Sequence, residues 1–211
     1  MAKKIPRLLA ITGGARLAAW PALATWLDRL AAAGVDGLWL REKTLDDLEV
    51  FELARRCREH LSERVSIVVS SRIDVALGAG CQGVHLPVSG LPTAALRRRF
   101  GDEVLIGRST HHPDEVEAAR DGGADYVTFG PVWETPSKAV YGPPPGLDGL
   151  RRAVAAGLPV VALGGIDGSR LSEVAAVGAS GVAGIRVFKD PSALEELARE
   201  RRRVWPESRG V

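Results

Sequence analysis

The sequence predicts an α/β protein, a single closed (β/α)8 barrel. Three features carry that reading: a helix-to-strand junction that recurs five times, eight short apolar runs, and helix-patterned segments between them. The junction is a glycine, two variable residues and a small or apolar residue ahead of a β-rich run. It reads "GVDGLWL" from Gly34, "GCQGVHL" from Gly80, "GADYVTF" from Gly123, "GLPVVAL" from Gly157 and "GASGVAG" from Gly178. Each glycine falls where a helix must stop, at the position that favours a left-handed backbone a Cβ would disfavour. Several junctions lie about 21 residues or twice that apart, the length of one helix plus one strand with short loops.

In order, the strands are expected at 8–12, 37–41, 66–70, 83–87, 105–109, 126–130, 160–164 and 181–185. They are apolar on both faces, as parallel strands covered by helices are. Helical patterns fall between them. "PALATWLDRLAAAG" opens on Pro21, and "LDDLEVFELARRCREHL" spaces Leu48, Phe51 and Leu53 at helical intervals. Eight such units close naturally into a TIM barrel, whereas a doubly wound open sheet is the alternative that periodicity alone leaves standing. One domain is expected over 1–211, with the repeat running from about 8 to 205 and a short tail at 206–211. Only "PVWETPSKAVYGPPPG", from Pro131 to Gly146, resists the repeat. A long loop of that kind in a compact domain is usually functional or disordered.

Composition narrows the function classes. Lys+Arg 28 against Asp+Glu 26 leaves a formal charge of +2, too slight to argue for nucleic acid or an acidic membrane surface. The runs Arg55-Arg56, Arg97-Arg98-Arg99 and Arg201-Arg202-Arg203 read as solvated helix faces. Cys57 and Cys81 show no metal-ligand spacing and read as ordinary thiols in a reducing compartment. With no apolar segment of signal or membrane-spanning length, a cytoplasmic protein is expected.

Chemistry in such barrels sits where strands end and loops begin. Arg41 and Lys43 follow the second strand, and Ser70 and Ser71 the third. The fifth ends in "GRSTHHP", with Arg108, Ser109, His111 and His112. Thr135, Ser137 and Lys138 lie in the long loop after the sixth. Gly164-Gly165 and Gly184-Ile185-Arg186 end the last two strands, and loops there make the usual phosphate site of this architecture. Among the histidines, Pro113 with Asp114 and Glu115 marks a helix start, so His112 reads as its cap. His111, one step earlier, faces the cavity, where an imidazole could take and return a proton. His60 reads as solvated and His85 as packed or hydrogen-bonded within the barrel core.

The assembled motifs resemble the thiamine-phosphate synthase and TenI superfamily of (β/α)8 barrels over nearly the whole chain. The matching stretches are "AIT" at 10–12, "LREK" at 40–43, "RIDVALGAGCQGVHLP" at 72–87, "IGRSTH" at 106–111, "GADYVTFGPVWETPSK" at 123–138 and "VVALGGI" at 160–166. In that superfamily the synthase joins a pyrimidine pyrophosphate to a thiazole phosphate and uses Mg²⁺ held by aspartates after strands three and four. Here "SSRID" puts Ser70 and Ser71 in place of Asn and Asp, and "HLPVSG" carries no carboxylate. Serine is a poor substitute for a carboxylate on this cation. Asp74 matches a later aspartate of the motif, where helix capping explains it.

Pro87 and the run Gly107 to Ser109 with His111 resemble the TenI branch, which implies a thiazole tautomerase. On that expectation the enzyme is an isomerase that needs no metal or organic cofactor. His111 shuttles the proton that aromatises a thiazole carboxylate phosphate. The resemblance further implies that Gly164, Gly165, Gly184, Ile185 and Arg186 hold the phosphate and that Arg41 and Lys43 lie near the carboxylate. Thr135, Ser137 and Lys138 would close over the substrate, with Ser109 beside it. Arg186 departs from the usual serine, and Trp39 from the synthase's glutamine. The alternatives are synthase activity itself, or a silent barrel that binds a thiazole phosphate and regulates through a partner. The sequence leaves the oligomeric state open, while the superfamily often forms homodimers.

Overall fold

The computed structural model describes residues 3–14, 19–135 and 143–206. Eight parallel strands close into a barrel in the order β1 to β8, with β1 paired to both β2 and β8. They are β1 Leu8–Ile11, β2 Gly37–Leu40, β3 Ser66–Ser70, β4 Gly83–Leu86, β5 Leu105–Thr110, β6 Tyr126–Phe129, β7 Val160–Leu163 and β8 Gly181–Gly184. The helices are α1 Trp20–Ala32, α2 Asp47–His60, α3 Ile73–Gly78, α4 Thr93–Phe100, α5 Pro113–Asp121, α6 Gly146–Ala155, α7 Leu171–Ala176 and α8 Pro191–Val204. A one-turn 3-10 helix, Gly168–Arg170, precedes α7. The closed ladder decides against the open doubly wound sheet.

The junction glycines do what their spacing requires. Gly34, Gly80, Gly123, Gly157 and Gly178 all have φ between 72° and 91°. At the first of them Gly34 N donates to Ala31 O and Val35 N to Leu30 O, the paired bonds that end a helix and turn the chain into the next strand. The same pairing recurs at Gly80 and Gly123.

Alternation along the strands divides the core in two. Outward side chains such as Leu8, Leu38, Ile67, Val127 and Val182 join the helices' apolar faces in the main cluster. Inward ones, Leu9, Ile11, Trp39, Val68, Leu105, Tyr126, Val161 and Ala183, fill the barrel.

Several expectations need correction. Leu48 is 69% exposed, and α2 buries Leu53, Ala54 and Cys57 instead, because its capping box on Asp46 and Glu49 turns Leu48 outward in the first turn. Two members of the basic runs are not solvated. Arg97 donates to Gly123 O at 2.9 Å and pairs with Asp125 at 2.8 Å, and Arg201 is buried in α8. His60 pairs with Asp28 at 2.8 Å and meets the edge of Trp20. Burial pushes the Cys57 and Cys81 thiols up to about 12, and both are free. Among the described residues no helix is long and apolar enough to cross a membrane.

Candidate active site

The inward positions of the strands extend to a mouth at their C-terminal ends. Trp39 leads to Arg41, Ser109 to His111 and Ala183 to Ile185, each two residues on and so on the same face, while the turn Gly164-Gly165 follows Leu163. Arg41 is half-buried, its N–H donating to Thr12 Oγ1 at 3.0 Å, and Lys43 beyond it is exposed. Ile185 packs partly buried against the inner cluster, whereas Arg186 is exposed and its carbonyl accepts from Lys189 N at 3.0 Å. Thr135 is half-buried, while Ser137 and Lys138 lie outside the described residues.

His112 is the N-cap residue of α5, as expected. Glu115 reaches back from the first turn to accept from His111 N at 2.5 Å and His112 N at 3.1 Å, which fixes the approach to the helix. The His111 ring is half-buried, and its Nδ1 bonds the Gly130 carbonyl. A carbonyl only accepts, so Nδ1 carries the proton and Nε2 is the acceptor of the neutral ring.

The paired glycines after β7 have φ of 101° at Gly164 and 70° at Gly165. A Cβ on Gly164 would lie 2.6 Å from Pro131 Cα, and one on Gly165 2.6 Å from Trp133 Cβ. The start of the loop after β6 therefore packs directly on this turn. Arg170 adds a clasp that sequence reasoning missed, donating to Gly165 O with its guanidinium 4.9 Å from the Trp133 ring centre.

Below the mouth lies a polar layer that the sequence hid except for one sign, a histidine inside the apolar run "GVHLP". His85 is fully buried, 3.1 Å from Tyr126 Oη, 3.1 Å from Ser109 Oγ and 3.2 Å from Thr128 Oγ1. Burial, reinforced by the charges of Arg41 and Arg108, pushes its pKa down to about 3, so the ring is neutral. Arg108 itself does not line the mouth. Its guanidinium holds the loop after β4, donating to Val88 O at 2.7 Å and Leu91 O at 2.9 Å.

The donors do not suit Mg²⁺ bound through carboxylates. Ser70 and Ser71 close β3, and 87–90 after β4 carries no acid. Two nearby carboxylates are committed elsewhere. Glu115 caps α5, and Asp74 is not a cap but is gripped by Arg72 at 2.8 Å, which holds its carboxyl down at about 2. Glu42 accepts from Gly14 N at 2.8 Å through Oε2, whereas its buried Oε1 has no hydrogen-bond partner among the described residues. No group of three or more His, Cys, Asp or Glu side chains able to hold a metal occurs among the described residues. Ser71 has φ of 59°, and Arg72 N donates across it to Ser70 O at 2.7 Å. That is a backbone outlier for a non-glycine residue, at the working end of the barrel.

The family model described as thiamine monophosphate synthase matches residues 8–188, from the first strand to the turn after the last. The chain belongs to the thiamine monophosphate synthase family. A Geobacter sulfurreducens protein, provisionally named thiamine-phosphate synthase, is 44% identical over 168 residues, 78% of each chain. The thiamine-phosphate synthase of Moorella thermoacetica is 36% identical over 181 residues, 85% of this chain and 86% of its own. Among solved structures, a thiamine phosphate pyrophosphorylase from Pyrococcus furiosus superposes with a TM-score of 0.81 at 28% identity, covering 94% of this chain and 96% of that one.

These names overturn the expectation of a thiazole tautomerase. The relatives of this family member carry the name of a transferase, not an isomerase. The expectation rested on serines in place of Asn and Asp, an acid-free stretch after the fourth strand, Trp39 in place of glutamine, and the TenI-like Pro87 and Gly107–Ser109 with His111. These are local features set against similarity that runs from residue 8 to 188. His111 is accordingly withdrawn as the base of an isomerisation.

Proposed function

We propose that this barrel is a transferase of the thiamine-phosphate synthase kind, joining a pyrimidine pyrophosphate to a thiazole phosphate with release of diphosphate. The observation that supports it most is barrel-length similarity to proteins named for that activity, at 36% identity over 85% of the chain in the Moorella thermoacetica case. The chemistry of the mouth agrees in kind, since both substrates are anions and the site is rich in cations and hydrogen-bond donors.

In this reading the turns at Gly164-Gly165 and Gly184-Ile185 take the thiazole phosphate through backbone N–H groups, with Arg186 adding charge at the rim. Arg41 and Lys43 face the diphosphate end. Ser109 donates from the floor. Thr135, at the end of the described segment after β6, contacts the diphosphate. His111 is a contact residue of the same mouth, its ring held by the Gly130 carbonyl. A cytoplasmic location goes with this reading, as does a homodimer.

The test is direct. Incubation with the pyrimidine pyrophosphate and the thiazole phosphate, with Mg²⁺ and separately with EDTA, is followed by mass spectrometry. Thiamine phosphate is the expected product, together with one equivalent of diphosphate. Failure to form it under both conditions, with both substrates shown to bind, would reject the transferase reading.

A further inference from the structure

Two buried relays beneath the mouth end on serine hydroxyls. Trp39, only 6% exposed, donates Nε1–H to Ser70 Oγ at 2.8 Å. An indole N–H can only donate, so Ser70 Oγ accepts from below and its own hydrogen is directed elsewhere.

The second relay runs through His85. Its ring is neutral, with one donor and one acceptor nitrogen, and it lies between Tyr126 Oη on Nδ1 and the hydroxyls of Ser109 and Thr128 on Nε2. Tyr126 is fully buried, and among the described residues its hydroxyl has His85 Nδ1 as its partner. A buried hydroxyl hydrogen without an acceptor is costly, and a phenol is a stronger donor and weaker acceptor than an aliphatic hydroxyl. Tyr126 therefore donates to Nδ1. Nε2 then bears the ring proton and donates toward Ser109 Oγ and Thr128 Oγ1, which leaves the Ser109 hydrogen turned away from the ring.

The two relays form one floor. The Trp39 and His85 rings face each other with centroids 3.8 Å apart, and Ser70 is the register partner of His85 between β3 and β4.

We propose that this floor is polarised to donate: Ser70 and Ser109 both present O–H groups to the mouth and bind the oxygens of a diphosphate group directly, without a divalent cation between. The choice of diphosphate rests on the transferase reading, whereas the direction of donation does not. A carboxylate beside a phosphate oxygen needs a bridging cation because the two repel. Hydroxyl hydrogens near Arg41, whose charge reaches His85, already have the sign that an anion requires. The serines that unsuit this site for Mg²⁺ are thus the groups that make the cation dispensable. Trp39, His85 and Tyr126 are positioning residues, acting through the two serines.

Calorimetric titration of the full chain with inorganic diphosphate, in EDTA and in Mg²⁺, tests the claim. Binding in EDTA at least as tight as in Mg²⁺ is expected. Ser70→Ala and Ser109→Ala should each weaken it about three- to tenfold, the loss of one hydrogen bond. Tyr126→Phe should weaken it by a similar factor although it touches no ligand. Binding seen only with Mg²⁺, or none in either buffer, overturns the proposal. Nitrogen-15 NMR of His85 in the unmodified protein tests the relay without relying on a variant that folds. The Nε2-protonated tautomer is expected, and an Nδ1-protonated ring overturns it. Diphosphate binding in EDTA without thiamine phosphate formation supports the floor and defeats the transferase reading alone.

Discussion

The two ends of the barrel use charge in opposite ways. At the N-terminal end opposite charges meet and cancel. Asp36 accepts from Arg7 N and Leu8 N, both at 2.9 Å, and pairs with Lys4 at 3.2 Å. Asp125 accepts from Ile106 N at 2.7 Å and pairs with Lys3 at 2.6 Å and Arg97 at 2.8 Å. Each carboxylate ties the start of one strand to its neighbour. At the C-terminal end the half-buried Arg41 follows Trp39 and two serine hydroxyls end the relays, while Glu115 caps α5, Asp74 pairs with Arg72 and Glu42 accepts only from Gly14 N. Cancelled charge holds a fold together, whereas uncancelled charge of one sign awaits a ligand. The contrast matches the division of labour in these barrels between a stabilising bottom face and a working top face.

Asp125→Ala should separate the two ends most sharply. It takes the acceptor from Arg97 Nη2 and from the Ile106 N–H, at a cost of about 3 kcal/mol in urea unfolding, while diphosphate affinity stays as it was. Equal losses in stability and affinity would mean that the ends are not independent.

Gly107→Ala should injure the floor and the fold together. Its Cβ would lie 2.3 Å from Tyr126 Cζ and 2.5 Å from His85 Nδ1, so about 2 kcal/mol of stability is lost and binding weakens with it. Unchanged thermal unfolding would show that the Tyr126–His85 contact is looser than described.

Acid should act through the floor. His85 titrates near 6.5 when unfolded but only at about 3 when folded, so below 6.5 the unfolded chain binds the extra proton. Its contribution to stability is complete above 6.5 and falls by up to about 1.4 kcal/mol per pH unit between 6.5 and 3. Urea midpoints at pH 7, 6 and 5 should show this slope, and His85→Phe should flatten it. A slope that survives the substitution would place the acid sensitivity elsewhere.

Arg41→Ala is expected to leave stability within about 0.5 kcal/mol and to weaken diphosphate about tenfold. A variant that binds as well as the parent would remove Arg41 from the mouth.

Much of the fold was legible because its signals are local. All eight strands start at the expected residue and end within one residue of the expected end, and five of them follow a glycine junction written in consecutive residues. The failures are long-range. Arg97 reads as a solvated cation within "LRRRF" because its acidic partner, Asp125, lies 28 residues away across a strand. The polar layer was hidden for the same reason: His85 finds Ser109, Tyr126 and Thr128 only once β4, β5 and β6 are side by side. The mouth was inferred as a place from the ends of the strands, a rule of the fold and not a motif. Its chemistry was misread by weighting short stretches, the serines at 70 and 71, Pro87 and Gly107 to His111, above similarity along the whole barrel. The relays beneath the serines are the basis of the diphosphate proposal.

A crystal structure of the full chain with inorganic diphosphate, grown without divalent cations, tests that account most directly. Diphosphate density is predicted over Ser70 and Ser109, within hydrogen-bond reach of both hydroxyls and below Arg41. Density instead in the cavity of about 1110 Å³ at the other end, bordered by Lys3, Lys4, Arg7 and Trp205, with the mouth holding none, would contradict it.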